Sequence, residues 1–377
     1  MKHAKRLRKL TGYIVGAASL ALMSMPAQAA LVFNFTFVAG TSAQAQQAFV
    51  NAGARWSSLF TDNVTLDMTV GQSSLGTGIL ASTGSRAGRV SYDAFKAALA
   101  SDATSATDAA AVANLQTGSS FGMLINRTSD NPNGVVSATP YLDTTGANNS
   151  TIRLTTANAK ALGFGVGTGT VGACTTTCDA SILFGNAFSW DYDPTDGITT
   201  GSYDFEGIAA HELGHALGFI SGVDVLDGNA VAPGFLADQF TFVAPLDLFR
   251  FSSSSAATAG GVIDFTADTR AKYFSLDRGV TIGAGFSTGT NFGDGRQASH
   301  WKDNLGLGIM DPTAGLGERL TIGANDIRAF DAIGWNLRSN LGAVPEPATW
   351  AMMISGFGMI GVARRRKRAA AGTTATA

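Results

Sequence analysis

Five consecutive residues, His211-Glu212-Leu213-Gly214-His215, restrict what this chain of 377 residues can fold into more than any other stretch of it. Two histidines four positions apart share a face only if the segment is helical, because one helical turn brings i and i+4 into line. The flanks supply what a helix needs. Asp204 is placed to cap its start, Ile208, Ala209, Leu213, Ala216, Leu217 and Ile220 form an apolar stripe, and Gly218 with Gly222 provides the stop. Such a helix offers two imidazoles to one metal ion and sets the Glu212 carboxylate beside them. Zinc held by neutral imidazoles keeps an open position for water and lowers that water's pKa towards ~7. A neighbouring carboxylate can then take the proton as the water attacks a carbonyl, and can deliver it to the leaving amine.

His211, Glu212, His215 and Gly218 resemble the signature of the metzincins, zinc endopeptidases that read HExxHxxGxxH, with a Met-containing turn farther on. Position 221, where the compact signature sets its third histidine, is Ser221. Either the third ligand lies elsewhere or the site is dead. The chain has four histidines and His3 belongs to the N-terminal leader described below, so His211, His215 and His300 are the histidines of the mature body. His300 stands in Ser299-His300-Trp301, ten residues before Met310 in Gly308-Ile309-Met310-Asp311-Pro312. That order is similar to leishmanolysin, a metzincin in which an insertion delays the third histidine until shortly before the Met-turn. The resemblance implies one catalytic zinc on His211, His215 and His300, Glu212 as general base, Met310 as a packing base under the metal, and a protein or peptide as substrate. It implies a two-lobed zincin of α/β (α+β) class with a mixed sheet, an active-site helix and an irregular C-terminal lobe. By the same analogy the strand before the helix, Ala180 to Trp190, forms the edge that pairs with substrate. Asp224 and Asp247 are the carboxylate alternatives to His300.

Both termini read as address labels. Lys2, Lys5, Arg6, Arg8 and Lys9 precede an apolar run from Tyr13 to Met25 and the small residues Ala27-Gln28-Ala29, so residues 1–29 are expected to be a signal peptide cut after Ala29. At the other end Val344-Pro345-Glu346-Pro347 is followed by an apolar run from Ala348 to Ala363 and by Arg364, Arg365, Arg366, Lys367 and Arg368. This resembles the PEP-CTERM sorting signal of Gram-negative bacteria, which implies an exosortase as partner. The positive-inside rule keeps the basic cluster cytoplasmic while the rest of the chain lies across the inner membrane. The mature protein is then secreted or held at the cell surface or outer membrane. Residues 30–343 are expected to be the metallopeptidase domain, with an N-terminal lobe to about 222 and a C-terminal lobe from about 223. Residues 344–368 form the sorting segment and 369–377 a disordered tail.

Setting the labels aside reverses the impression of a neutral protein. The leader and the tail each take five of the 26 basic residues and the tail one of the 28 acidic ones, which leaves 16 against 27 and a net charge of about −11 for the body. An acidic body argues against nucleic acid as a partner. Cys174 and Cys178 lie close together on an exported chain and are expected to pair as a local disulfide. Asp191, Asp193 and Asp196, in a turn with Pro194 and Gly197, could offer oxygen ligands to calcium or serve as a solvated turn.

Apolar spacing along the body predicts strand, helix and strand at Leu31 to Val38, Ala43 to Leu59 and Val64 to Val70, a βαβ start. Helices follow at Tyr92 to Ala100 and Ala106 to Gln116, a short strand at Thr151 to Leu154, a strand at Gly279 to Phe286 and a final helix at Asn325 to Trp335. Three functions are compatible with this reading: an exported zinc-dependent endopeptidase, a catalytically idle extracellular matrix or adhesion protein on the same scaffold, and a zinc hydrolase acting on a non-peptide bond through the same water activation.

Overall fold

In the computed structural model the described residues are 30–229 and 234–338. The signal peptide and the sorting segment expected from the sequence lie outside them. The βαβ start is present. Val32–Phe37 (β1) and Thr65–Ser73 (β2) pair in parallel from Val32↔Thr65 to Phe37↔Val70, joined through Ala43–Ser57 (α1). Ser42 caps α1 by accepting from the Ala45 N–H, and Phe49, Ala52 and Trp56 line its buried face at helical spacing.

Ala81–Ser85 (β3) and Ala87–Ser91 (β4) follow, and Tyr92–Asp102 (α2) and Ala106–Asn114 (α3) start on the caps Ser91 and Ser105. Met123–Ile125 (β5), Tyr141–Asp143 (β6), Thr151–Thr155 (β7) and Thr156–Ala161 (α4) precede Ala180–Gly185 (β8). The main sheet has the order β1-β2-β8-β3, with β3 antiparallel and at the edge. Here the sequence expectation needs correction. β8 stops at Gly185 and lies inside the sheet between β2 and β3, so Ala180 to Trp190 is neither one strand nor the edge. The apolar alternation beyond Gly185 has another cause. Phe188 and Trp190 turn onto Tyr203, with ring centroids 5.8–6.0 Å apart, in an aromatic cluster beside the sheet.

Trp190–Asp191 (β9) pairs in parallel with Tyr203–Asp204 (β10), which leads into Phe205–Leu217 (α5), the helix of the two histidines. Helix α5 packs across α1 and the sheet through Phe49, Phe184 and Phe205, whose ring centroids lie 4.1–5.3 Å apart. The indole of Trp56 donates to the Ala210 carbonyl at 2.8 Å and ties the C-terminal end of α1 to the middle of α5. Aromatic rings of this size supply most of a core's apolar burial, on the order of 2–3 kcal/mol each.

The remainder comprises Val223–Asn229 (α6), Arg250–Phe251 (β11), Ser253–Ala257 (α7), Ile263–Phe265 (β12), Lys272–Phe274 (β13), Gly285–Phe286 (β14) and Ala324–Ala332 (α8). The strand expected from Gly279 reduces to its last two residues, because Gly279 takes a positive φ of 85° and Gly283 packs against the Phe274 carbonyl. Pairing crosses residue 222, since β12 joins β5 in parallel and Phe60 bridges to Leu337. One buried cluster runs from Leu31 to Trp335. The class is α+β, with helices and sheets mixed along the chain.

Candidate metal centre

Asp204 sets the start of α5. Its carboxylate accepts from the Gly207 N–H at 2.8 Å and from the Leu320 N–H at 3.0 Å, so it caps the helix and anchors a distant loop to it. Gly218 ends the helix at φ 122°, a conformation that an L side chain resists, and sends the chain into the turn at Ser221. Ser221 donates to Asp247 at 2.6 Å, and the same carboxylate accepts from the Gly222 and Ala244 N–H groups. Asp247 is thus a turn anchor and not a ligand.

The three histidines of the described residues meet at one point. The Nε2 atoms of His211 and His215 are 3.1 Å apart, those of His215 and His300 3.1 Å, and those of His300 and His211 3.3 Å. No other group of three His, Cys, Asp or Glu side chains among the described residues converges in this way. Each imidazole turns its other nitrogen to a backbone carbonyl. His211 Nδ1 faces Ile309 O at 2.7 Å, His215 Nδ1 faces Phe219 O at 2.7 Å, and His300 Nδ1 faces Gln297 O at 3.3 Å. A ring nitrogen against a carbonyl must carry the proton, so each Nε2 of a neutral ring is a bare lone pair. Three lone pairs at these distances repel one another unless a cation lies among them, and that is the form in which imidazole binds metal. Burial and the neighbouring His211 hold His215 down to about 3, and burial with His215 and His211 holds His300 well below its ordinary range.

Glu212 lies in the same cleft and is buried, which pushes its carboxyl up, while His211 and the Thr83 hydroxyl push it down. Thr83, on edge strand β3, donates to Glu212 Oε2 at 2.5 Å and leaves Oε1 free. The cleft has a volume of about 890 Å³ and is lined by Ile79 to Thr83 of β3 and its approach, by Tyr203, by the three histidines and by the loop from Asp311 to Ala314.

The loop of His300 is held from behind. Asp224, weighed from the sequence as a ligand, accepts from the N–H groups of Ala298 and Ser299 and from the Ser299 hydroxyl. The buried guanidinium of Arg250 donates to the carbonyls of Ala298 and Ser287. Asp326, at the start of α8, collects the N–H groups of Ile309 at 2.7 Å, Met310 at 3.3 Å and Gly323 at 2.7 Å, and the Trp301 indole at 2.8 Å. One carboxylate therefore fixes both the Met310 turn and the residue after His300. Met310 packs against Gly214, where an added Cβ would lie 2.5 Å from its sulfur. Gly214 of the five-residue motif is small for that reason.

The comparisons with known proteins bear on the tail. Residues 343–368 match the PEP-CTERM protein-sorting motif. The chain is therefore marked for export and for processing by exosortase-type machinery at the cell envelope. No curated protein and no solved structure matches the chain. Among the described residues no helix is long and apolar enough to cross a membrane.

Cys174 and Cys178 are bonded to each other. Asp191 and Asp193 are occupied as turn caps. Asp191 accepts from Asp193 N, Thr199 N and the Thr199 hydroxyl, and Asp193 from Thr195 N and its hydroxyl. With Asp196 they do not gather into a three-carboxylate set. Thr83, Asp224 as a support, Arg250 and Asp326 were not legible as parts of the site, because nothing in their local spacing marks them; only Asp326, close to the start of a predicted helix, carried a signal, that of a helix N-terminus.

Proposed function

We propose that this chain is an exported zinc-dependent endopeptidase of metzincin type, with His211, His215 and His300 as the zinc ligands and Glu212 as the general base. The observation that carries the reading is the triangle of Nε2 lone pairs beside a buried carboxylate. Tetrahedral ligands at zinc–nitrogen bonds of about 2.0–2.1 Å lie about 3.3–3.4 Å apart, close to the spacing of these nitrogens. Zinc bound there supplies a Lewis acid and a water acidic enough to be deprotonated near neutral pH.

The chain's own groups do the rest. Glu212, steadied at Oε2 by Thr83, takes a proton at Oε1 from the water that attacks the peptide carbonyl and returns it to the departing amine. Strand β3 pairs on one side with β8 and lines the cleft along its length. An extended peptide laid on that edge hydrogen-bonds backbone to backbone, with its bond presented at the level of Thr83 and Glu212. Met310 under α5 and a delayed His300 before it favour the metzincin-type reading over an unrelated zincin.

Zinc analysis of the purified body and hydrolysis of casein test the proposal together. One zinc per chain is expected, lost in His300→Ala. Casein cleavage is expected to vanish with chelator and with Glu212→Ala, which keeps its zinc. Stoichiometric zinc in His300→Ala would remove His300 from the site. A zinc-loaded wild-type protein that cleaves neither casein nor a peptide library would favour a matrix protein on a peptidase scaffold.

A further inference from the structure

Two arginines stand side by side at one end of the cleft without a carboxylate to answer them. Arg89 of β4 and Arg153 of β7 are directly opposed in the antiparallel pair. They share the sheet face of Ala87 and Thr155, because side chains two apart point the same way. Ala87, Thr155 and Arg153 all line the cleft. The guanidinium carbons of Arg89 and Arg153 lie 5.1 and 5.7 Å from the Phe242 ring centroid, and Arg89 Nε donates to the Thr241 carbonyl. Among the described residues neither is within ion-pair distance of an acidic group. Arg296, the other cation lining the cleft, is paired with Asp303 at 2.9 Å.

A fold that needed only packing at this position has no reason to keep such a pair. Like charges directly opposite each other across two strands are destabilising, and burial together with the nearby Arg89 draws Arg153 below its ordinary value. The body around them carries 27 acidic residues against 16 basic ones, so a partner carboxylate is easy to supply and is absent from this face. What the arrangement lacks is an anion arriving from the cleft. β3 runs through Arg86 into β4, so a peptide extended along the β3 edge past Ser85 comes to the face that carries Arg153.

We infer that Arg153, with Arg89 behind it, is a subsite for a carboxylate of the bound peptide, and that the enzyme selects chains with an acidic side chain beyond the immediate neighbours of the cleaved bond. This rests on the peptidase reading and adds the substrate's chemistry to it. A planar guanidinium accepts a carboxylate through two parallel N–H bonds, a geometry that a lysine ammonium or an amide does not reproduce.

The test is a series of quenched fluorescent peptides with both termini blocked, in which one Glu is moved position by position and compared with Gln and Lys at the same place. A second arm carries a free terminal carboxylate and no acidic side chain. The zinc-loaded wild type is expected to cleave the best Glu peptide with kcat/KM about tenfold above its Gln twin, the scale of one charge-assisted contact. The preference should shrink as salt is raised. Arg153→Gln is expected to erase it, and Arg153→Glu to turn it towards Lys. Equal cleavage of Glu and Gln peptides at every position by the wild type overturns the proposal, as does an acidic preference that survives in Arg153→Glu. A preference confined to the free-carboxylate arm overturns the side-chain assignment. If no peptide is cleaved, fluorescence anisotropy of labelled Glu and Gln peptides on the Glu212→Ala protein still decides. Selective binding of Glu peptides, abolished by Arg153→Gln, upholds the subsite while the catalytic reading fails, and equal binding sinks it.

Discussion

Asp326 shows how much of this site depends on residues that touch no substrate. Its carboxylate holds the N–H groups of Ile309, Met310 and Gly323 and the Trp301 indole, while the Ile309 carbonyl faces His211 Nδ1. Replacing it by Ala strands several buried donors at once, each costing about 1–3 kcal/mol when unpaired. Asp326→Ala is expected to lower stability by about 3 kcal/mol or more and zinc affinity by about 10–100-fold. Asp326→Asn, which retains one acceptor oxygen, should fall between it and the wild type. Urea titration with competitive chelation measures both, and an Asp326→Ala protein with native zinc affinity would detach the Met310 turn from the metal site. His211 and His215 were readable because their spacing is local. Asp224 and Asp247 were readable only as carboxylates near the motif. Whether such a group ligates a metal or holds a loop depends on which backbone N–H groups the fold brings to it.

Among the elements, α5 was nearly complete in the sequence, with its cap at Asp204, its apolar face and its glycine stop where the structure has them. Asp204 does more than the sequence shows, since its second oxygen accepts from Leu320 N across the fold. Asp204→Ala is therefore expected to cost about 2–3 kcal/mol, above the ~1 kcal/mol typical of a lost cap, because the Leu320 donor is buried with it. A loss no larger than that of an ordinary cap, measured by denaturant unfolding, would show that the Leu320 contact adds nothing. Of the elements that the sequence did not announce, strand β3 is the one that frames the cleft. Ala81-Ser82-Thr83-Gly84-Ser85 has no apolar alternation to announce it, because half of its hydrogen-bonding potential faces the cleft and its small side chains pack little. The strand beside it, β8, carried the apolar signal and was given the edge in its place. Hydrophobic pattern reports burial, and the innermost strand of a sheet is the most buried.

For the molecule as a whole, one pH-dependent contribution to stability lies away from the candidate metal site, at the seam between the last residues and the N-terminal half. Burial raises Asp62 to about 7, with Asp102 adding to it and the Asn336 hydrogen bonds opposing. Burial and Asp108 raise Asp331 to about 6. One oxygen of each is buried without a hydrogen-bond partner. A raised folded-state pKa means that the folded chain keeps a proton which the unfolded chain releases near pH 4. The stability tied to it is complete below that pH and is lost as pH rises through 6 and 7. The seam is expected to take on the order of 1–3 kcal/mol from the unfolding free energy between pH 5 and 8. It acts against the opposite trend of His215 and His300, which without metal stay neutral in the folded chain and gain a proton in the unfolded one. Comparing wild type with Asp62→Asn in chelator isolates it. Asp62→Asn should remove most of that downward contribution and shift the slope of unfolding free energy against pH upward, and an unchanged slope would remove Asp62 from the account. The sequence by itself determined the helix of His211 and His215, the βαβ start, the local disulfide and the sorting tail, all features whose residues are neighbours along the chain or repeat at a helical or strand period. It limited the candidates for a third metal ligand to a few positions. Only the tertiary structure could bring His300 within 3.3 Å of His211, set Met310 against Gly214, place β3 at the edge and leave Arg153 facing the cleft with no carboxylate of the described residues in ion-pair reach. Those relations join residues tens to more than a hundred positions apart, and closing such loops leaves no periodic trace in the sequence.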